Sequence, residues 1–285
     1  MNKEKIAILV DSGTDVPEEI MKEKQMYMIP LKIIYKDGEY IDKVEITAEE
    51  IYSRLSEEIP STSLPSGETI NQIFDQIKKD GYEKVLAVTI SSGLSGTHNI
   101  VRLLGEQYDG LDVYVLNTKN IGIGAGLQAI RASELLETGM DFETIIKQLE
   151  EEVAKSKVYF NVATLEYLQK GGRIGLVASI LGTALKLNPI ISCNDEGIYY
   201  TVSKARGRRK SLEKTLHLIH KFVGDHRKVR LAVAHGAAFE EAEEMKAQLQ
   251  KDFPWVEEWY FGEISPALVV HTGPGLLGVG AQLLD

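Results

Sequence analysis

Residues 6–14 read Ile6-Ala7-Ile8-Leu9-Val10-Asp11-Ser12-Gly13-Thr14, an apolar run stopped by a polar, turn-forming tetrad. The same grammar returns at Val85–Ile90, followed by Ser91-Ser92-Gly93-Leu94-Ser95-Gly96-Thr97, and again at Asp112–Leu116, followed by Asn117-Thr118. Runs that are apolar from end to end suit strands buried on both faces, as in a parallel sheet. Between them lie helical patterns. Ile70, Ile73, Phe74 and Ile77 sit at i, i+3, i+4 and i+7, and Phe142, Ile145, Ile146, Leu149 and Val153 extend such a stripe over three turns. Thr47 and Glu50 have the spacing of a capping box, and Asp15 with Pro17 and Glu18 reads as a helix start. This alternation runs to about residue 155 and predicts an open α/β sheet.

The second half reads differently. Residues 158–164 form a strand, Gly171-Gly172-Arg173 follows a short helical turn, and residues 174–187 read as an apolar helix with Pro189 beyond its end. Residues 198–203 and 256–261 alternate like half-exposed strands, and helices near 212–223 and 240–253 flank a strand at 229–234. The expectation is an α/β protein of two domains, residues 1–157 with a mostly parallel sheet and residues 158–285 with a mixed one. A length of 285 residues fits that count.

Composition narrows the function. Forty-two acidic residues against 32 basic ones give a formal charge of −10, which argues against a nucleic-acid partner. The single concentrated basic segment is Lys204–Lys210, read as a solvated loop or a docking surface. Cys193 is the only cysteine, so no internal disulfide or CxxC metal motif exists. The opening apolar run is too short for a secretory signal, and no stretch approaches a membrane span, which points to the cytoplasm.

Ligands of open α/β sheets bind beyond the carboxyl ends of the strands. The loops expected there are rich in hydroxyls, at Asp11–Thr14, Ser91–Thr97 and Asn117-Thr118, and Thr62-Ser63-Leu64-Pro65-Ser66 adds a further cluster. Hydroxyls and backbone N–H groups at helix starts suit an anion, although the same residues serve equally as caps. Two other chemistries suggest themselves. Gly93-Leu94-Ser95-Gly96-Thr97 approximates a serine-hydrolase nucleophile elbow, with His235 or His271 as base, but Thr97 stands where that motif needs glycine. Gly122-Ile123-Gly124-Ala125-Gly126 lacks the spacing of a nucleotide-binding loop, and close helix packing accounts for it better.

Four segments occur in register: Thr62–Ser66, Ile90–Thr97, Lys170-Gly171-Gly172-Arg173-Ile174 and His271-Thr272-Gly273-Pro274-Gly275. With Val10-Asp11-Ser12 and Lys204-Ala205-Arg206, they make the chain resemble the DegV family of bacterial fatty-acid-binding proteins over essentially its whole length. The resemblance implies two α/β domains with a lipid between them and no cofactor. It implies a carrier, not an enzyme by itself, that holds a long-chain fatty acid. The carrier presents the carboxylate to a separate fatty acid kinase, feeding phospholipid synthesis. By the same resemblance Thr62 and Ser95 bind the carboxylate and His271 lies close to it. Ser63 and Ser92, from the same hydroxyl clusters, complete the candidate set. Arg173 is associated with phosphate transfer, and Arg206 with the phosphate or the partner. Leu64 stands where the family usually has glutamine, a change at the mouth of the site.

Overall fold

The computed structural model describes residues 2–181 and 187–285. Among the described residues, thirteen strands build three sheets. β1 (Ile6–Asp11), β2 (Tyr27–Ile29), β6 (Lys84–Thr89) and β7 (Asp112–Asn117) form a wholly parallel sheet in the order β2-β1-β6-β7. All six residues of β1 are buried, which is why that run carries no polar alternation. β3 (Lys32–Tyr35), β4 (Gly38–Ile41) and β5 (Ser61–Ser63) form a small antiparallel sheet. This sheet interrupts the βα alternation, and its strands are too short to announce themselves in the sequence.

The second half forms a six-stranded mixed sheet in the order β10-β9-β8-β13-β11-β12. Its strands are β8 (Ser156–Asn161), β9 (Leu187–Cys193), β10 (Tyr199–Arg206), β11 (Val229–Gly236), β12 (Glu258–Glu263) and β13 (Leu276–Leu283). Residue 157, where the sequence reading divided the chain, lies inside β8.

Helices cover both sheets. Gly67–Lys79, capped by Ser66, which accepts from Thr69 N at 3.1 Å, buries Ile70, Phe74 and Ile77 on the outer face of the parallel sheet. The helix Ile123–Glu137 lies between the two sheets, packed on β1 and β6 on one side and on β8 and β13 on the other. Residues 123–130 are all buried, as expected of a helix that is apolar all round. Its glycines permit close approach: a Cβ at Gly126 would stand 2.5 Å from Thr14 O, and one at Gly124 would stand 2.6 Å from Asn120 Oδ1. Arg230, fully buried, ties this helix to the second sheet by pairing with Glu134 and with Glu258. The helices Arg208–Val223 and Phe239–Asp252 cover the far face of the mixed sheet.

Three expectations need correction. The apolar stretch 174–187 is not one helix. A 3₁₀ turn spans Gly175–Ile180, Leu187 already belongs to β9, and the Leu185 once assigned to this helix lies outside the described residues. Gly175 (φ +52°) opens the turn in a conformation that breaks a regular helix. Pro189 sits within β9, whose ladder to β8 is a single pair, Phe160 with Ile191, so Pro189 removes no hydrogen bond there. Asp15 does not start a helix: its backbone is left-handed (φ 51°) and its carboxylate is buried, and the helix begins at Glu18. The basic segment is also less free than a loop. Arg208 and Arg209 open the helix Arg208–Val223 and pair with Glu241 and Glu213. The capping box of Thr47 and Glu50 is present.

Candidate functional site

The parallel sheet, the small antiparallel sheet and the second half meet around one cavity of about 240 Å³. Each of the four sequence segments contributes to its wall. β5 supplies Thr62 and Ser63, and the loop after β6 supplies Ile90, Leu94 and Ser95. Arg173 follows the double glycine, and the helix Pro266–Thr272 supplies Leu268, His271 and Thr272. Leu31, Ile121 and Tyr199 complete the lining, and nothing in the sequence pattern had marked them. Tyr199 is fixed by an edge-on contact with Phe160, ring centroids 5.2 Å apart.

Local folding explains how the loops are aimed. Asp11, fully buried, accepts from Gly13 N at 3.0 Å and from Ile90 N at 2.8 Å, binding the turn after β1 to the loop after β6. Ser91 donates to Gly197 O at 2.8 Å and accepts from Gly93 N, joining that loop to the second half. Ser95 Oγ accepts from Thr97 N at 3.2 Å and lies 2.9 Å from Thr97 Oγ1, at the start of the helix Thr97–Gln107. With Thr97 as donor, Ser95 keeps its own O–H for a ligand.

Thr62 Oγ1 and His271 Nε2 are 2.7 Å apart. Burial, reinforced by nearby Arg173, pushes the imidazole down to about 3, so His271 is neutral near pH 7. Its Nδ1 is buried without a partner. An orphaned buried N–H is rarer than an under-satisfied acceptor, which places the proton on Nε2, donating to Thr62. The Thr62 hydroxyl then has its hydrogen free to donate into the cavity. Among the described residues, Arg173 is the one charged side chain on the wall. It donates to Gly171 O at 2.8 Å and weakly to Leu94 O at 3.4 Å, and no carboxylate pairs with it among the described residues. The mouth is therefore a set of donors without an anion: Thr62, Ser95 and a guanidinium, beside a neutral imidazole.

Beside the cavity lies a separate, small apolar recess of about 30 Å³. Ile121, Gly122, Ile123, Val158, Phe160, Ala234, Ile264, Leu276 and Gly278 line it, and it shares Ile121, Tyr199, Leu268 and Thr272 with the mouth. A polar mouth and an apolar interior suit an amphiphile with an anionic head.

Fatty-acid-binding proteins are prominent among the known proteins that this chain matches. The family described as uncharacterised protein, DegV family, matches residues 5–283. The chain belongs to the DegV family. A DegV domain-containing protein of Clostridium acetobutylicum is 39% identical over 97% of this chain and 98% of its own. A DegV family protein from Thermus thermophilus, solved in a study of its fatty acid binding, superposes with a TM-score of 0.92 at 30% identity, covering 100% of both chains. DegV of Bacillus subtilis, described as a fatty acid binding protein, gives a TM-score of 0.90 at 29% identity over 99% of both chains. The α/β architecture of this DegV-family chain, a parallel sheet in the first half and a mixed one in the second, is thus that of its relatives.

Of the residues singled out from the sequence, Thr62, Ser63, Ser95, His271 and Arg173 meet at the mouth. Ser92 does not. Its Oγ accepts from Asn117 Nδ2 at 2.7 Å, and it lines a shallow depression next door with Gly93, Gly96, Gly172, Gly175 and Ile198, to which Ser95 and Arg173 also belong. Arg206, at the end of β10 opposite Leu187, is not on the cavity wall. Ser66 is a helix cap. The hydrolase geometry is absent, because Ser95 bonds to Thr97 and no histidine reaches it among the described residues. No helix among the described residues is long and apolar enough to cross a membrane.

Proposed function

We propose that this chain binds one long-chain fatty acid and presents its carboxylate to a separate fatty acid kinase, the product feeding phospholipid synthesis in the cytoplasm. The observation that carries the reading is an anion-free donor set standing next to an apolar recess. A buried carboxylate is costly unless hydrogen-bonded. The O–H groups of Thr62 and Ser95 supply those bonds, with Ser63 and His271 beside them, and Arg173 offsets the charge. Burial of the chain supplies affinity: at ~0.8 kcal/mol per methylene, some fifteen methylenes contribute roughly 12 kcal/mol before association costs. A division into two domains near residue 157, with the lipid between them, fits the wall. Residues from Leu31 to Ile121 come from the first half and those from Arg173 to Thr272 from the second.

The depression beside the mouth supports the second half of the proposal. Gly93, Gly96, Gly172 and Gly175 let backbone approach a phosphoryl group, and Arg173 faces both spaces. Arg206 with Lys204 and Lys210 is then the surface that meets the kinase, whose approach their charge would steer.

Native mass spectrometry of the purified protein, followed by denaturing lipid analysis, should find about one equivalent of a long-chain acid. A lipid-free preparation that also refuses added oleate or palmitate would refute the reading. Fatty acid, ATP and this protein alone should give no acyl phosphate, and adding the kinase should give it. Arg173→Ala should keep the fatty acid and lose the product. Product formed from ATP without a kinase would overturn the carrier role. Turnover of a p-nitrophenyl ester that is lost in Ser95→Ala would favour a hydrolase.

A further inference from the structure

Leu268, His271 and Thr272 stand at i, i+3 and i+4 on the helix Pro266–Thr272 and share one face of it. That face lines the cavity, so a leucine stands roughly 4.5 Å along the helix axis from the imidazole of the head-group site. Leu268 and Thr272 also line the apolar recess, as do Ile121 and Tyr199. The two spaces therefore have a common wall. Of its four residues, Ile121, Tyr199 and Thr272 are buried, and Leu268 is only partly so.

The contacts of this wall differ in kind. Tyr199 packs edge-on against Phe160, and the Thr272 hydroxyl is tied back, donating to Leu268 O at 2.9 Å. The methyl groups of Leu268 lie instead over two glycines. A Cβ on Gly13 would stand 3.3 Å from Leu268 Cδ1, and one on Gly122 would stand 3.2 Å from Cδ2. Gly122 N donates to Gly13 O at 3.0 Å, so the two glycines make one bare floor. Leu268 rests on backbone on that side and meets the cavity on another. It is the member of the wall that can turn aside, by passing from one staggered rotamer to the next.

Size makes that movement necessary. The cavity measures about 240 Å³ and the recess about 30 Å³. Pockets that bury a small molecule usually measure ~300–1,000 Å³, so a long-chain acid needs more room than the cavity has. The apolar space next to it lies behind Leu268. We propose that Leu268 is a specificity-determining residue, a partition that leaves the cavity to shorter acids and admits to the recess only chains long enough to turn it aside. The inference rests on the fatty-acid reading and deepens it, since it says how that site discriminates among acids.

The test is competition binding to the delipidated full chain, with saturated acids lengthened one carbon at a time from octanoic to stearic. Within one compartment each added methylene should tighten binding about fourfold. Where the chain reaches Leu268 the gain should vanish over about one or two carbons, offset by the cost of turning the side chain, and then resume. Leu268→Ala joins the two spaces, so its series should rise without the pause. Leu268→Met keeps the volume on a more flexible side chain and should make the pause shallower. A pause at the same carbons in Leu268→Ala would overturn the proposal. So would an uninterrupted series in the wild type, which decides even if the variants do not fold. In both cases fatty-acid binding stands. Failure of every acid to bind would overturn both readings.

Discussion

The backbone of Gly171 lies flat against the imidazole of His271: a Cβ built on Gly171 would overlap Nδ1 and come within 3.0 Å of Cε1. Two sequence segments a hundred residues apart thus interlock at the mouth, and the bare face of one glycine sets where the ring stands. Because His271 Nε2 is bonded to Thr62, that contact also positions the Thr62 hydroxyl.

Gly171 and Gly172 should consequently fail in different ways. Gly171 is in helical backbone (φ −76°), so alanine costs nothing in conformation but must push the ring aside. Fatty-acid affinity should fall by roughly 1–2 kcal/mol, the scale of a disrupted hydrogen bond to a carboxylate. Gly172 has φ +69° with nothing within 4 Å of its Cβ. Alanine there should cost about 1 kcal/mol of stability through left-handed strain and leave binding unchanged. Titration with a fluorescent fatty acid and thermal melts of both variants separate these outcomes. A Gly171→Ala protein that binds normally would show that the ring is free to move.

His271 also predicts a pH dependence. The imidazole takes a proton near 6.5 in the unfolded chain but resists until about 3 when folded. Its contribution to stability is whole above about pH 6.5 and is lost as pH falls toward 3, since acid favours the state that binds the proton. At pH 5 the loss is about 2 kcal/mol. Burial shifts Asp11 up to about 7 and Asp42 to about 6, and these groups stabilise the fold as pH falls, masking the effect in the wild type alone. The comparison is therefore between delipidated wild type and His271→Gln in urea at pH 7.5 and pH 5. The wild type should lose about 2 kcal/mol relative to the variant across that interval. A constant difference between the two would place the imidazole in water.

Period and punctuation made much of this fold readable. β1, β6 and β7 are apolar runs ended by hydroxyl turns, and Phe74 and Ile77 sit where a helical stripe puts them. What sequence could not show is pairing between distant segments. Thr62 reads as a loop hydroxyl until β5 pairs with β3, setting Thr62 opposite Ile33. β13 escaped notice because its inward face is Leu276, Gly278 and Gly280: without side chains, two of its buried positions carry no apolar signal. Tyr199 and Ile121 are apolar residues among many, and only the cavity makes them a wall. Ser92 and Ser95 are indistinguishable as letters, and only the fold separates them, putting Ser95 on the cavity wall and Ser92 in the depression beside it.

Thr62→Val keeps the shape of the side chain and removes its hydroxyl. It leaves both His271 and a bound carboxylate short of a partner, so affinity should drop by about 1–3 kcal/mol, and the orphaned imidazole N–H should cost a similar amount of stability. Ser95→Ala should weaken binding similarly, but it also uncaps Thr97 N, which costs about 1 kcal/mol in stability. If one carboxylate bridges both hydroxyls, the double variant should be non-additive by more than about 0.5 kcal/mol in a double-mutant cycle. Strict additivity would separate the two residues onto different ligands.

The far end of the recess predicts how acyl length is measured. A Cβ at Gly278 would sit in ordinary van der Waals contact, with Phe160 Cβ at 3.4 Å and Ala234 O and Leu276 Cδ2 at 3.9 Å, so there is room for a methyl group but for nothing larger without displacement. The space above Gly280 is already filled, by Ile123 Cγ2 at 3.2 Å and Leu127 Cδ1 at 3.6 Å from the same construction. Ile123 lines both this recess and an outer cleft bounded by Lys43 and Glu263, so it closes the one from the other. Gly278→Val should block the part of the recess that Gly278 lines and shorten the preferred acid, each methylene excluded costing about 0.8 kcal/mol. Ile123→Ala should open the recess toward the cleft and lengthen the preference, at a stability cost of about 2–5 kcal/mol for the emptied core position. Affinities for a homologous series of saturated acids read both effects. Merely structural damage would lower all affinities together, whereas a length gauge moves the optimum in opposite directions. An unchanged optimum in both variants would mean that the chain ends elsewhere.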